Sequence, residues 1–218
     1  MARIKTRHLA LFLVLWTLLV LYPNPYRLVL SVARVVRPPV DVSAVAHLVA
    51  VSPADPAGLE AYVLREWPYQ YDWQTYNVPW YFPTVQQALA AGTGDCKTRF
   101  VVLASLFEAK GIPYRQTVSL SHIWVTYEGK PEYGNEQDQH AWLVRDESGT
   151  SIRRPQEDLG EVRDAAREAF WDHMPAERKA LLLAGPPLAI ILGWSGRWSR
   201  AHVGNPVAAR RVSGARAA

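Results

Sequence analysis

The chain has 218 residues, 49% of them hydrophobic, with 24 basic and 20 acidic residues for a net charge of +4. That length suits one domain with its own core plus extra segments, and the composition is ordinary for a globular protein. Its basic excess sits at the two ends, outside apolar stretches, which argues against a nucleic-acid-binding surface, and a single cysteine excludes an intramolecular disulfide.

Arg3, Lys5 and Arg7, with no acid among them, precede the uncharged run from Leu9 to Leu21. This reads as a retained membrane helix from about His8, with Pro23 and Pro25 at the outer interface. The alternative is a cleaved signal, whose small-residue site at Ser31-Val32-Ala33 would lie beyond Pro23, Pro25 and Arg27. Residues 1–36 are therefore expected to form an anchor, and Arg37-Pro38-Pro39 to open a domain over 37–155. Asp55-Pro56 predicts a capped helix running to Glu66. From Trp67 to Phe82 aromatics are dense, and Pro68, Pro79 and Pro83 argue against a regular element. Thr84 to Gln87 predicts a capping box, opening a short helix that Gly92 closes.

Asp95 is next an N-cap for a helix starting at Cys96, with Cys96, Phe100, Leu103, Ala104 and Phe107 on one face and Gly111 as its terminator. Strand patterns follow at 114–120, 122–127 and 141–144, with Glu128-Gly129 as a tight turn. Residues 156–178 return to helical spacing as an amphipathic connecting helix, with Leu159, Val162, Ala166 and Phe170 on one face. Residues 179–197 form a second apolar run, kinked by Pro186-Pro187, and are expected to be a second membrane segment; a buried terminal helix is the alternative. Residues 198–218 form a basic tail. Positive flanks at both ends predict both termini in the cytoplasm and the domain on the periplasmic or extracellular side of the cell membrane. No metal-ligand cluster stands out, and no cofactor is expected.

The chemistry centres on Cys96. A thiol in the first turn of a helix lies among unpaired N–H groups and the positive end of the dipole, which favour the nucleophilic thiolate and supply a donor to an oxyanion. A structural cysteine at a helix start is the plain alternative. His122, at the start of a strand two elements downstream, is the candidate base, and His140, in a second His-x-Trp pattern, is its rival. A third group must orient the imidazole. With a tight turn at Glu128-Gly129, Tyr127 pairs with Lys130 and His122 falls beside Glu136, the favoured acid; Asn135, Asp138 and Asp146 remain alternatives.

Three segments in order, Gly94-Asp95-Cys96, then Gly111-Ile112-Pro113-Tyr114-Arg115, then His122-Ile123-Trp124-Val125, resemble the bacterial transglutaminase-like superfamily. The resemblance spans roughly Asp72 to Asp146. It implies an α+β fold with a papain-like core, a central helix carrying the cysteine packed on an antiparallel sheet. It also implies a Cys-His-acid triad in which Cys96 and His122 occupy the matched positions, and a second oxyanion donor near the thiol, for which Trp80 and Gln74 are the candidates. The family's strand after the histidine is followed by an obvious aspartate, and this chain departs from that pattern. The expected function is a membrane-anchored thiol enzyme acting on amide or ester bonds through a thioester, by acyl transfer or hydrolysis. Its partners would be a protein or peptide substrate of the cell envelope and the lipid bilayer, with no nucleic acid. The rival expectation is a catalytically silent interaction module of the same fold held at the membrane.

Overall fold

The computed structural model describes residues 6–201, with side chains over 7–191. Met1 to Lys5, and the tail from residue 202 onward with Arg210, Arg211 and Arg216, lie outside the described residues. In chain order the elements are α1 (Thr6–Leu21), α2 (Tyr26–Val36), α3 (Ala46–Val49), α4 (Pro56–Glu66), α5 (Asp72–Tyr76), α6 (Val85–Ala91) and α7 (Cys96–Lys110). There follow β1 (Arg115–Val118), β2 (Ile123–Thr126), β3 (Leu143–Asp146), β4 (Gly149–Ile152), α8 (Leu159–Arg167), which runs into a π turn (Glu168–Asp172), and α9 (Ala176–Ala201). The architecture is α+β with a four-stranded antiparallel sheet in the order β2-β1-β3-β4.

Contacts divide the described residues into two compact units, one of residues 6–20 with 177–201 and one of Leu21–Ala176. In the first, Trp16 Nε1 donates to the Leu181 carbonyl at 2.8 Å and Arg178 donates to the Val20 carbonyl at 2.8 Å. Leu11, Val14, Leu15 and Leu19 on α1 and Leu183, Ile190 and Ile191 on α9 are exposed. Among the described residues no single helix is long and apolar enough to cross a membrane; Arg7–Leu21 and Tyr26–Val36 reach that length and composition only together, as a bent pair. The helix α9 runs on through Pro186 and Pro187.

In the second unit α7 is the centre. Asp95 caps it by accepting from the Lys97 amide at 3.0 Å, and Gly111 ends it at a left-handed φ of 66° that a side chain would disfavour. The spacing predicts one apolar face, but Phe100 to Phe107 are all buried, because α3, α4 and α6 pack on the helix as well as β2. Each fully buried Leu or Phe of this kind contributes roughly 1.5–3 kcal/mol relative to an exposed one. The cap of α4 at Asp55, the capping box of α6 between Thr84 and Gln87, and the C-cap at Gly92 match the sequence pattern.

Four elements differ from expectation. The short helix α5 forms inside the proline-rich aromatic segment. The exposed strand β4 pairs with β3 without an alternating pattern to announce it. The helix α2 belongs with the second unit, where Arg34 donates to the Phe82 carbonyl at 2.7 Å and Ser31 accepts from the Phe82 amide at 3.0 Å. The turn at Glu128-Gly129 closes as predicted, with the Lys130 amide donating to the Tyr127 carbonyl at 3.2 Å, but no strand follows to pair with β2. The next strand, β3, pairs instead with β1 from its other side, leaving β2 at the edge.

Candidate functional site

Cys96 is the first residue of α7, half-buried, and opens onto a cleft of about 560 Å³. Just before it, Gly94 has φ +155° and bridges to Tyr69, and a Cβ there would overlap the side chain of Thr98. Thr98 is itself fully buried and bonded to the Tyr76 hydroxyl at 3.1 Å, so it cannot yield freely. Gly94→Ala is accordingly expected to destabilise the protein by about 1–3 kcal/mol, the usual cost of overpacking. A thermal-unfolding midpoint equal to that of the native protein would contradict this.

His122 is placed by the hairpin between β1 and β2. The hydroxyl of Ser119 accepts from the amides of Ser121 and His122, and the Ser119 amide donates to the His122 carbonyl at 2.9 Å. The imidazole therefore lies one residue before β2, its ring stacked on Trp124 at 5.7 Å. Ile123 and Val125 of β2, with Tyr127 just after it, belong to the core around α7, so the histidine approaches the thiol from the end of the hairpin and not from a strand face laid on the helix.

The ring is bonded to Glu136 on one side and shares the cleft with Cys96. Burial disfavours its charged form, but the charge of Cys96 and the hydrogen bond to it, followed by the hydrogen bond and charge of Glu136, prevail and hold His122 up at about 10. Nε2 donates to Glu136 Oε1 at 3.0 Å, which leaves Nδ1 for the sulfur. Burial would raise Glu136, yet hydrogen bonds from His122 and Lys130 hold it below the usual carboxylate value.

The other candidates lie elsewhere. Asn135 lines the cleft, whereas Asp138 pairs with Arg115 at 3.4 Å and Asp146 accepts from the Ser148 amide at 2.9 Å. His140 closes a 3-10 turn (Asp138–His140) and does not line the cleft. Trp80 lines the cleft; Gln74 is exposed on α5 and does not. Glu136 arrives on an irregular loop, its amide bonded to the Tyr133 carbonyl, and not through the strand register that suggested it.

Two charged groups had no signal in the sequence. Beneath the thiol, Lys97 is buried and its ammonium contacts both Asp72, at 2.9 Å, and Asp95. Desolvation would lower Lys97, but the two carboxylates raise it well above its ordinary value. Desolvation first, and then Asp95, push Asp72 up to about 7 against the pull of Lys97. Behind Glu136 stand Lys130 and Glu60, bonded at 2.7 Å.

The far side of the cleft is a strap from Glu157 through the π turn. The Glu157 carboxylate accepts from the Leu120 amide at 2.6 Å and the Ser121 hydroxyl at 3.2 Å, at the hairpin that carries His122. At its other end His173 stacks on Tyr71 at 3.9 Å, and Trp73 Nε1 donates to the Phe170 carbonyl at 3.3 Å. Among the described residues no group of His, Cys, Asp and Glu is arranged to hold a metal ion. No protein-family model, curated protein or solved structure matches this chain.

Proposed function

We propose that the protein is a membrane-anchored thiol enzyme acting on amide or ester bonds, with Cys96 as nucleophile, His122 as base and Glu136 as the acid that orients it. The observation that carries this reading is that Cys96 and His122 line one cleft, with His122 Nε2 bonded to Glu136 Oε1 at 3.0 Å. What supports the finer fold, a papain- or transglutaminase-like core, is a helix carrying the cysteine in its first turn and packed on an antiparallel sheet.

In this mechanism His122 removes the thiol proton, and the sulfur attacks the substrate carbonyl. The Cys96 amide at the start of α7 has no intrahelical acceptor and donates to the developing oxyanion, with the Trp80 indole as a second donor. Collapse of the tetrahedral adduct expels the amine or alcohol, which takes its proton from His122, and leaves a thioester on Cys96. Water or an acceptor amine, deprotonated by His122, then attacks that thioester, the C–S bond breaks, and the departing Cys96 sulfur takes the proton back from His122. Apolar α1 and α9 and the basic ends of the chain support the anchoring, with both termini cytoplasmic and the cleft on the outer side.

Iodoacetamide alkylation at pH 6 tests the reading on the full chain in native membranes. Because an adjacent imidazolium favours the thiolate, the native protein should be alkylated at Cys96 much faster than His122→Ala. Equal rates would leave an inert thiol and favour a silent module.

A further inference from the structure

Glu136 poses a problem for the proposed reaction. It lies on a loop without regular structure, where a carboxylate would ordinarily sample several rotamers and face water. Its second oxygen, however, is held. Lys130 Nζ lies 2.7 Å from Glu136 Oε2, 2.7 Å from Glu60 Oε1 and 2.8 Å from the Val125 carbonyl, so three acceptors occupy the three donors of the ammonium. The Lys130 side chain is only 4% exposed, although its residue directly follows the Glu128-Gly129 turn. Glu60 is fixed in turn on α4 by the Tyr127 hydroxyl, which donates to its other oxygen at 2.8 Å. A chain of neighbours thus runs from the thiol to α4: Cys96, His122, Glu136, Lys130, Glu60.

We propose that Lys130, anchored by Glu60, is a positioning residue for the reaction: it holds Glu136 ionised and turned so that Oε1 meets His122 Nε2. The proposal rests on the reading of Cys96, His122 and Glu136 as a catalytic set. The charged and titratable groups around Glu136 are His122 before β2 and Lys130 after it, both bonded to it, with Glu60 on α4 and Tyr127 just after β2 behind Lys130 and Cys96 on α7 behind His122. Without Lys130, two carboxylates oppose each other in a mostly buried space, and like charges so placed drive one of them to take a proton. A protonated Glu136 no longer stabilises the imidazolium.

The experiment is a pH profile of para-nitrophenyl acetate cleavage by the full chain in detergent micelles, for the native protein, Lys130→Met and the double variant Lys130→Met with Glu60→Gln. Lys130→Met should lower kcat on the order of 10–100-fold, as loss of a supporting partner does, with KM little changed and the acid limb moved to higher pH. The double variant removes the pair as a neutral unit and keeps the variant foldable. Its acid limb should return toward that of the native protein while kcat stays low, because Glu136 is still unclamped. A merely structural lysine would not separate the limb from kcat in this way. Native kcat in either variant, or an acid limb in Lys130→Met that does not move, overturns the role of Lys130. Absence of Cys96-dependent cleavage and of Cys96 alkylation in the native protein overturns the enzymatic reading and this proposal with it.

Discussion

Replacing His122 by alanine is expected to lower thiol-dependent turnover on the order of 10²–10⁴-fold, the usual worth of a positioned general base. His140→Ala is expected to leave turnover unchanged, since His140 closes a turn away from the cleft. Rates of para-nitrophenyl acetate cleavage by the two variants and by the native protein check both statements; a large loss in His140→Ala alone would transfer the base to that residue. The same histidine predicts a pH dependence of stability. Burial opposes its charge, yet Cys96 and Glu136 raise it from 6.5 to about 10. A group raised on folding stabilises the native state fully below its unfolded value and loses that contribution as pH climbs through its folded one. The stability difference between the native protein and His122→Ala should therefore shrink from about pH 6.5 toward about pH 10. Glu136 runs the other way: lowered on folding, its contribution is present above the usual carboxylate value and is lost as the medium becomes acidic enough to protonate it in place.

Lys97→Met is expected to cost about 3–5 kcal/mol of stability, the range seen when one partner of a buried charge pair is removed. Methionine keeps much of the volume, so packing is not the main loss. What remains is Asp72, 2% exposed, and Asp95, 6% exposed, facing each other with no cation between them. The penalty should be smaller when Asp72→Asn accompanies Lys97→Met, because the repulsion then goes with the cation; urea midpoints for the set measure this. Asp72 adds a second dependence on pH. Raised from 3.8 to about 7, it favours the native state most below pH 4, and that contribution fades as pH rises through about 7. Asp72→Asn should flatten stability over that interval. A Lys97→Met variant as stable as the native protein would mean that the cluster has no role in holding the start of α7.

The parts of this site written in local chemistry were legible beforehand. Asp95, Cys96 and Gly111 punctuate α7 through caps that involve only near neighbours, and Thr84 and Gln87 do the same for α6. What the spacing of Phe100, Leu103 and Phe107 does not reveal is burial on every side, since that depends on which helices pack there. A hairpin register points to Glu136, yet the loop delivers it without one, held by a lysine whose other carboxylate lies 70 residues away in sequence. Such long-range pairs leave no periodic trace. For the same reason Asp72 was hidden in an aromatic, proline-rich stretch, and the ion pair that joins it to Lys97 crosses from α5 to α7. The strand β4 is exposed along its length and has neither alternation nor an apolar run to mark it.

The central claim is that Cys96 forms a covalent thioester under the control of His122 and Glu136. Intact-mass analysis of the full chain, quenched in acid after brief exposure to para-nitrophenyl acetate, tests it most directly. The native protein should gain one acetyl group that peptide mapping places on Cys96; Cys96→Ala should gain none there, and His122→Ala should gain it far more slowly. No adduct on the native protein, or equal acetylation of the native and His122→Ala proteins, would contradict the account.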